Sequence, residues 1–250
     1  MVRDKKIANG YLLEICCNSI YSAKQAQRGG ASRVELCQNL ENGGTTPSYG
    51  QIKLTREALD IGVHVLIRPR SGDFLYNKDE FAEMMADVRY CKEAGCDGVV
   101  IGILTKEGDV DKERTKILVD LAKPMTVVFH RAFDRCRNPM QALEDIIAIG
   151  CDRILTSGQQ DTALQGKKLL RELVGQAKGR IEIMPGAGVN SGNIKEILSF
   201  TGAHSIHSSA KIVEPSKMEF KNSSVTGMDE DEISSSAQLV GEMVENIKSL

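Results

Sequence analysis

Apolar and polar positions along this chain follow two alternating periods. Short β-rich runs such as YLLEIC, RVELC, VHVLIRP, VVIGIL, TVVFHRAF and IEIMPGAG are separated by stretches with helical spacing, among them SAKQAQRG, EFAEMMADVRYCKEA and NPMQALEDIIAIG. Four junctions, GGASRVEL, AGCDGVVI, IGCDRILT and TGAHSIHS, share one pattern: a glycine and a small residue after a helical segment, then a strand. Gly30, Gly95, Gly150 and Gly202 therefore read as left-handed residues that end a helix and turn the chain into the next strand. With the four strands midway between these junctions, the chain presents eight alternating units in 250 residues. That count predicts an α/β fold, a closed (β/α)8 TIM barrel in a single domain over 1–250. An open doubly wound sheet also alternates, but regular spacing across eight units favours closure.

The barrel is expected over about 11–210, followed by a connection and a closing helix over about 211–250. Residues 211–228 are polar with scattered apolar positions and read as a long connection. The SSSAQLVGEMVENIKSL segment has the spacing of a closing helix, and the DEDE run before it puts acids at its positive end. Such a long connection, and the NLENGGTTPSYG loop after the second strand, exceed what closure requires, so one of them is expected to contact another subunit in a homo-oligomer.

Composition narrows the function classes. A formal charge of -2 and no run of Lys and Arg give no general attraction to nucleic acid or anionic lipid. No apolar stretch is long enough to span a membrane, and MVRDKKIANG lacks the core of a secretory signal, so the expectation is a cytoplasmic protein. The seven cysteines are scattered and include no CxxC pair, which argues for reduced thiols and against a zinc ribbon.

RVELC carries the sharpest question. Alternation sets Arg33, Glu35 and Cys37 on one face of a strand that helices flank on both sides. In a barrel that face points into the interior, and its upper end lines the mouth, where such folds keep their chemistry. The strand ends then supply the candidates: Glu14 and Cys16; Glu35 and Cys37; Arg68 and Arg70; His130, Arg131 and Asp134; Ser157 and Gly158; Gly186; and His207. Glu14, Glu35, Arg33, Arg68 and Arg131 also suit mutual neutralisation inside the barrel. Cys17, Cys91, Cys96, Cys136 and Cys151 read as small buried hydrophobes, and His64 and His204, at strand beginnings, as structural.

The segments LLEICCNS, GGASRVELCQNLENGGTTPSYG, VLIRPRSGDFLYN, FHRAFD, PMQALEDIIAIGCDRILTSG and IEIMPGAGV resemble the CutC family of copper homeostasis proteins, and KNSSV near the end resembles its animal members. The resemblance implies a single (β/α)8 barrel, a cytosolic location, a role in copper handling and an oligomer, but no defined reaction. Two positions depart from the family pattern. The usual Glu-Phe-His ending of strand eight reads Ser205-Ile206-His207, and Ala187 stands where a glycine is usual.

Two function classes follow. In the first, Cys16 and Cys37 on neighbouring strands hold one copper ion, Cu(I), which soft thiolates select. In the second, the barrel is an enzyme acting on a small anionic molecule. Arg68, Arg70, Arg131 and His207, with the turns at Ser157, Gly158 and Gly186, would bind it, and His130, Glu35 and Asp134 would serve as acid and base, with Cys37 as a nucleophile.

Overall fold

The structure is a computed structural model that describes residues 3–220, 222, 224–225 and 231–250. Eight parallel strands form the barrel: β1 Leu12–Cys17, β2 Arg33–Leu36, β3 Gly62–Leu66, β4 Gly98–Ile101, β5 Thr126–Phe129, β6 Arg153–Thr156, β7 Glu182–Pro185 and β8 Ser205–Ser208. The ladder runs β7-β6-β5-β4-β3-β2-β1-β8, and β7 and β8 lie side by side at the seam of a nearly closed barrel. Helices α1 Ile20–Arg28, α2 Tyr49–Ala58, α3 Lys78–Glu93, α4 Lys112–Ala122, α5 Pro139–Ile149, α6 Lys167–Ala177, α7 Ile194–Thr201 and α8 Ala237–Lys248 surround it.

Local sequence explains the punctuation. Asn77 and Glu80 form a reciprocal capping box at the start of α3, and Asn138 with Pro139 opens α5. The four junction glycines adopt φ of +91°, +74°, +95° and +72°, the left-handed conformation that turns a helix end into a strand.

Each strand is buried on both faces, but the two faces bury different things. Outward residues such as Ile15, Val34, Val63 and Ile154 form the large core beneath the helices. The interior holds a smaller cluster of Cys16, Cys37, Leu66, Val100, Val128, Leu155 and Met184. Below it lies a charged layer in which Arg33 binds Glu14 and Asp4, and Arg153 binds Glu182. The charges in RVELC are therefore interior charges: Arg33 is neutralised in this layer, and Glu35 lies one layer above it, level with Cys16.

Three expectations change. The 211–228 segment is not merely a connection: β9 Lys211–Glu214 pairs antiparallel with β10 Glu232–Ser235 to make a two-stranded arm. Within that segment, residues 221, 223 and 226–228 lie outside the described residues, as does part of KNSSV. Of the DEDE run, residues 229–230 lie outside the described residues and Glu232 begins β10, while α8 starts only at Ala237 behind a Ser236 cap. Strand β5 stops at Phe129, because His130 caps a 3₁₀ turn over Arg131–Arg135 by accepting the Ala132 N–H on Nδ1.

Candidate functional site

At the C-terminal mouth of the strands lies a cavity of about 570 Å³. Its floor is set by β1, β2 and β8. The ladder pairs Glu14 with Arg33 and His207, and Cys16 with Glu35. The two Glu-x-Cys units are thus not level: β2 is displaced by two residues, the stagger that closure of tilted strands imposes. The displacement puts Glu35 beside Cys16 and raises Cys37 one layer, yet the Cys16 and Cys37 Sγ atoms stand 3.2 Å apart. Both thiols are buried.

His207 joins this group from β8. Its Nδ1–H donates to Glu14 Oε1 at 2.8 Å, and its Nε2 faces Glu35 Oε2 at 3.6 Å. Donor atoms of Cys16, Glu35 and His207 lie within 4.8 Å of one another, a cluster able to hold a metal ion. Beneath it, Glu14 accepts from Arg33 Nε, while Arg33 also donates to Asp4 Oδ2 at 3.0 Å and to Met184 Sδ at 3.2 Å.

Electrostatics follow from this burial. Desolvation opposes the charge on Glu14, but Arg33 and His207 overcome it and hold the carboxyl well below its ordinary range. Glu35 has no guanidinium in contact, only His207 Nε2 at 3.6 Å. Burial pushes it up to about 7 against the pull of His207, and the Glu14 charge adds to the rise. Burial disfavours the His207 cation, but hydrogen bonds to Cys16 and Glu14 and both carboxylates carry it well above the usual histidine value. Cys16 is raised well above the ordinary thiol value, by its hydrogen bond with Cys37 and then by burial. For Cys37 the contact with Cys16 favours the thiolate, but burial and the Glu35 charge prevail and raise it as well.

The opposite wall carries Arg68, Phe74, His130 and Arg131. Arg68 Nη1 donates to the carbonyls of Asn42 and Gly44, and Nη2 to that of Gly72, so it ties the loops after β2 and β3 together. Burial, reinforced by Arg68, pushes His130 down to about 3 and keeps it neutral. The loop after β7 completes the rim, with Ala187 at φ +79°. A glycine suits that conformation better than the alanine found here, which carries about 1 kcal/mol of strain.

Cys16, Cys37, Glu35, Arg68, His130, Arg131 and His207 all line the cavity. Six other candidates are not in its lining, among them Glu14, which lies beneath it and binds Arg33 and His207. Arg70 turns to the surface, where Glu80 and Asp73 bind it. Asp134 is occupied by Arg131 Nε, the Thr156 and Ser157 hydroxyls and the Ser157 and Gln159 N–H groups, and so clamps the turn after β6. Ser157 is held by that clamp, Gly158 sits against Gly166, and a side chain at Gly186 would strike Leu155 and His207. Ser205 is buried below His207 beside Glu182, outside the cavity, so its departure from the family pattern falls in the charged layer. Sequence reasoning missed Asp4. Its only signal was an acid within a basic N-terminal stretch, and nothing local shows that this stretch passes beneath the barrel.

Fold and site together define a (β/α)8 barrel with a thiol, carboxylate and imidazole cluster at its mouth. The chain belongs to the CutC family, whose model matches residues 11–212. It is 53% identical over 216 residues to a family protein CutC of Parabacteroides distasonis, covering 86% of this chain and 88% of the relative. It is 48% identical over 218 residues to the human copper homeostasis protein cutC homolog, covering 87% and 80% of the two chains. The solved CutC structure from Streptococcus agalactiae superposes with a TM-score of 0.77 at 36% identity, over 80% of this chain and 98% of that one. A thiamine phosphate pyrophosphorylase from Pyrococcus furiosus shares the fold alone, with a TM-score of 0.60 at 16% identity over 96% of each chain.

Proposed function

We propose that this protein binds Cu(I) at Cys16 and Cys37, with His207 and Glu35 as neighbouring donors, and handles the ion in the reducing cytoplasm. The observation that carries this reading is the 3.2 Å approach of two buried thiols from different strands. Soft thiolates select Cu(I), and a reducing compartment keeps both metal and ligands in the required state. The copper homeostasis name of the human relative agrees with it.

The backbone argues against the pair being a disulfide in waiting. Cys37 lies two residues beyond the ladder partner of Cys16. An offset of ~6.6 Å along the strand and ~4.8 Å across it puts the Cα atoms roughly 8 Å apart. Disulfides span about 4.4–6.8 Å. The thiols also sit closer than the ~4.6 Å of a linear pair of ~2.3 Å metal–sulfur bonds. Both sulfurs therefore bind one ion either by moving apart or by sharing it with a third donor, and His207 and Glu35 are placed for that role. Because the thiols are held protonated, copper uptake displaces protons and weakens as pH falls.

Competition of the reduced protein against a Cu(I) chelator tests the reading. About one ion per chain is expected, with most of the affinity lost in Cys16→Ser and in Cys37→Ser and kept in Cys136→Ser. Unchanged affinity in both of the first two variants would refute the paired-thiol site.

A second reading, an enzyme acting on a small carboxylated or phosphorylated compound, is favoured by the cavity itself. At about 570 Å³ it falls in the range of small-molecule sites and exceeds what one ion needs.

A further inference from the structure

Arg68 is a buried cation with no carboxylate partner among the described residues. Its three acceptors are main-chain carbonyls, of Asn42, Gly44 and Gly72, and its guanidinium lies 5.1 Å from the centre of the Phe74 ring. Carbonyl dipoles and a ring face satisfy donors but leave the net charge in place, and an uncompensated buried charge is strongly disfavoured. Arg68 Nε is also buried with no acceptor in ordinary hydrogen-bond geometry, and the polar side chain beside the guanidinium is the neutral hydroxyl of Tyr76, which brings no negative charge. The other buried guanidiniums differ: Arg33 has Glu14 and Asp4, Arg56 has Asp97, and Arg153 has Glu182.

His130 packs on the same Phe74, with ring centres 5.0 Å apart. Its Nδ1 accepts the Ala132 N–H, so in the neutral ring the proton sits on Nε2, and that N–H is likewise buried without a partner. A lone cation and a neutral N–H donor on one wall of one cavity match an oxyanion. The volume matches a molecule larger than the oxyanion itself.

We propose that this wall binds the oxyanion group of a small organic acid or phosphate ester, with Arg68 supplying the charge and His130 Nε2–H a hydrogen bond. The inference rests on the second functional reading and is independent of the copper site, since neither residue is a proposed copper ligand. Arg131 contributes less, because Asp134 and Ser157 already engage it.

The test is thermal unfolding of the full chain with citrate, glycerol 3-phosphate or inorganic phosphate, against chloride at matched ionic strength. The expected result is a saturable rise in Tm with citrate or glycerol 3-phosphate, at concentrations at least tenfold below those inorganic phosphate needs. Arg70→Met and Cys136→Ser should keep the response, and Arg68→Lys should weaken it at least tenfold by losing the planar fork. In the wild-type protein the same ligand should shift the His130 Nε2 nitrogen resonance, a readout that survives if the Arg68 variant fails to fold. No saturable rise, a resonance that does not move, an Arg68→Lys response equal to wild type, or inorganic phosphate acting as well as both organic probes would each overturn the proposal. Loss of the response in Arg70→Met or in Cys136→Ser would overturn its assignment to this wall.

Discussion

Replacing Glu14 by Gln preserves the shape of the side chain while removing the charge on which the barrel interior turns. Its two oxygens serve Arg33 and His207, and His64 Nδ1 stands 3.6 Å away. The Glu14 side chain is 1% exposed and that of Arg33 is 0% exposed, so water cannot replace what is lost. Among the described residues, Asp4 would remain as the one carboxylate bound to Arg33, at 3.0 Å. Breaking a buried pair from one side costs about 3–5 kcal/mol, a large share of a stability of roughly 5–15 kcal/mol. A chain of this size should lose on the order of 10 °C in Tm. Guanidinium unfolding of Glu14→Gln at neutral pH measures the cost, and the double variant Glu14→Met with Arg33→Met should recover part of it, because the buried guanidinium goes with its carboxylate while Asp4 and His207 each lose one partner. The loss should also depend on pH. His207 is raised above its unfolded value, so its contribution is full below about 6.5 and disappears as pH rises through the folded value. Without the Glu14 charge that contribution shrinks, and the variant's deficit should be larger at pH 6 than at pH 9. A destabilisation under ~1 kcal/mol, or one equal at both pH values, would refute the account of Glu14 as the hub of the buried network.

Two further outcomes are expected. His130 is held at about 3, below its unfolded value, so the stability tied to it is full above about 6.5 and falls as the solution is acidified, by up to ~1.4 kcal/mol per pH unit. His130→Gln should therefore flatten the acid limb of the stability profile by about 2 kcal/mol between pH 7 and 5, and an unchanged limb would contradict a neutral buried ring. Glycine substitutions should split by environment: Gly175→Ala, in α6 with open space around it, should stabilise by ~0.5–1 kcal/mol. Gly166→Ala would place a Cβ 1.9 Å from the Ser157 carbonyl oxygen and should cost more than ~2 kcal/mol. Chemical denaturation of both variants distinguishes the two cases.

The barrel was legible because its signals are local. A left-handed glycine after a helix, a β-rich run and a capping box act within a few residues, so the order of eight strands and their helices can be read from the chain itself. The same locality made Cys16, Glu35, Cys37, Arg68, His130 and His207 candidates, since each stands at the C-terminal end of a strand or just past it. Tertiary structure decided what those residues do to one another. The two-residue stagger between β1 and β2 is a property of closure, and it alone sets Glu35 beside Cys16 while letting the two thiols meet. Asp4 reaches Arg33 across 29 positions, and His207 reaches Glu14 across 193, distances over which no periodicity carries information. Arg68 and Arg70 look alike in RPR, and strand alternation would put both on one face, but β3 ends at Leu66 and the chain beyond it leaves Arg68 on the cavity wall and Arg70 with Glu80 at the surface. The fold came from patterns that each segment repeats for itself. The site came from which segments the closed barrel holds side by side, and that depends on every strand at once.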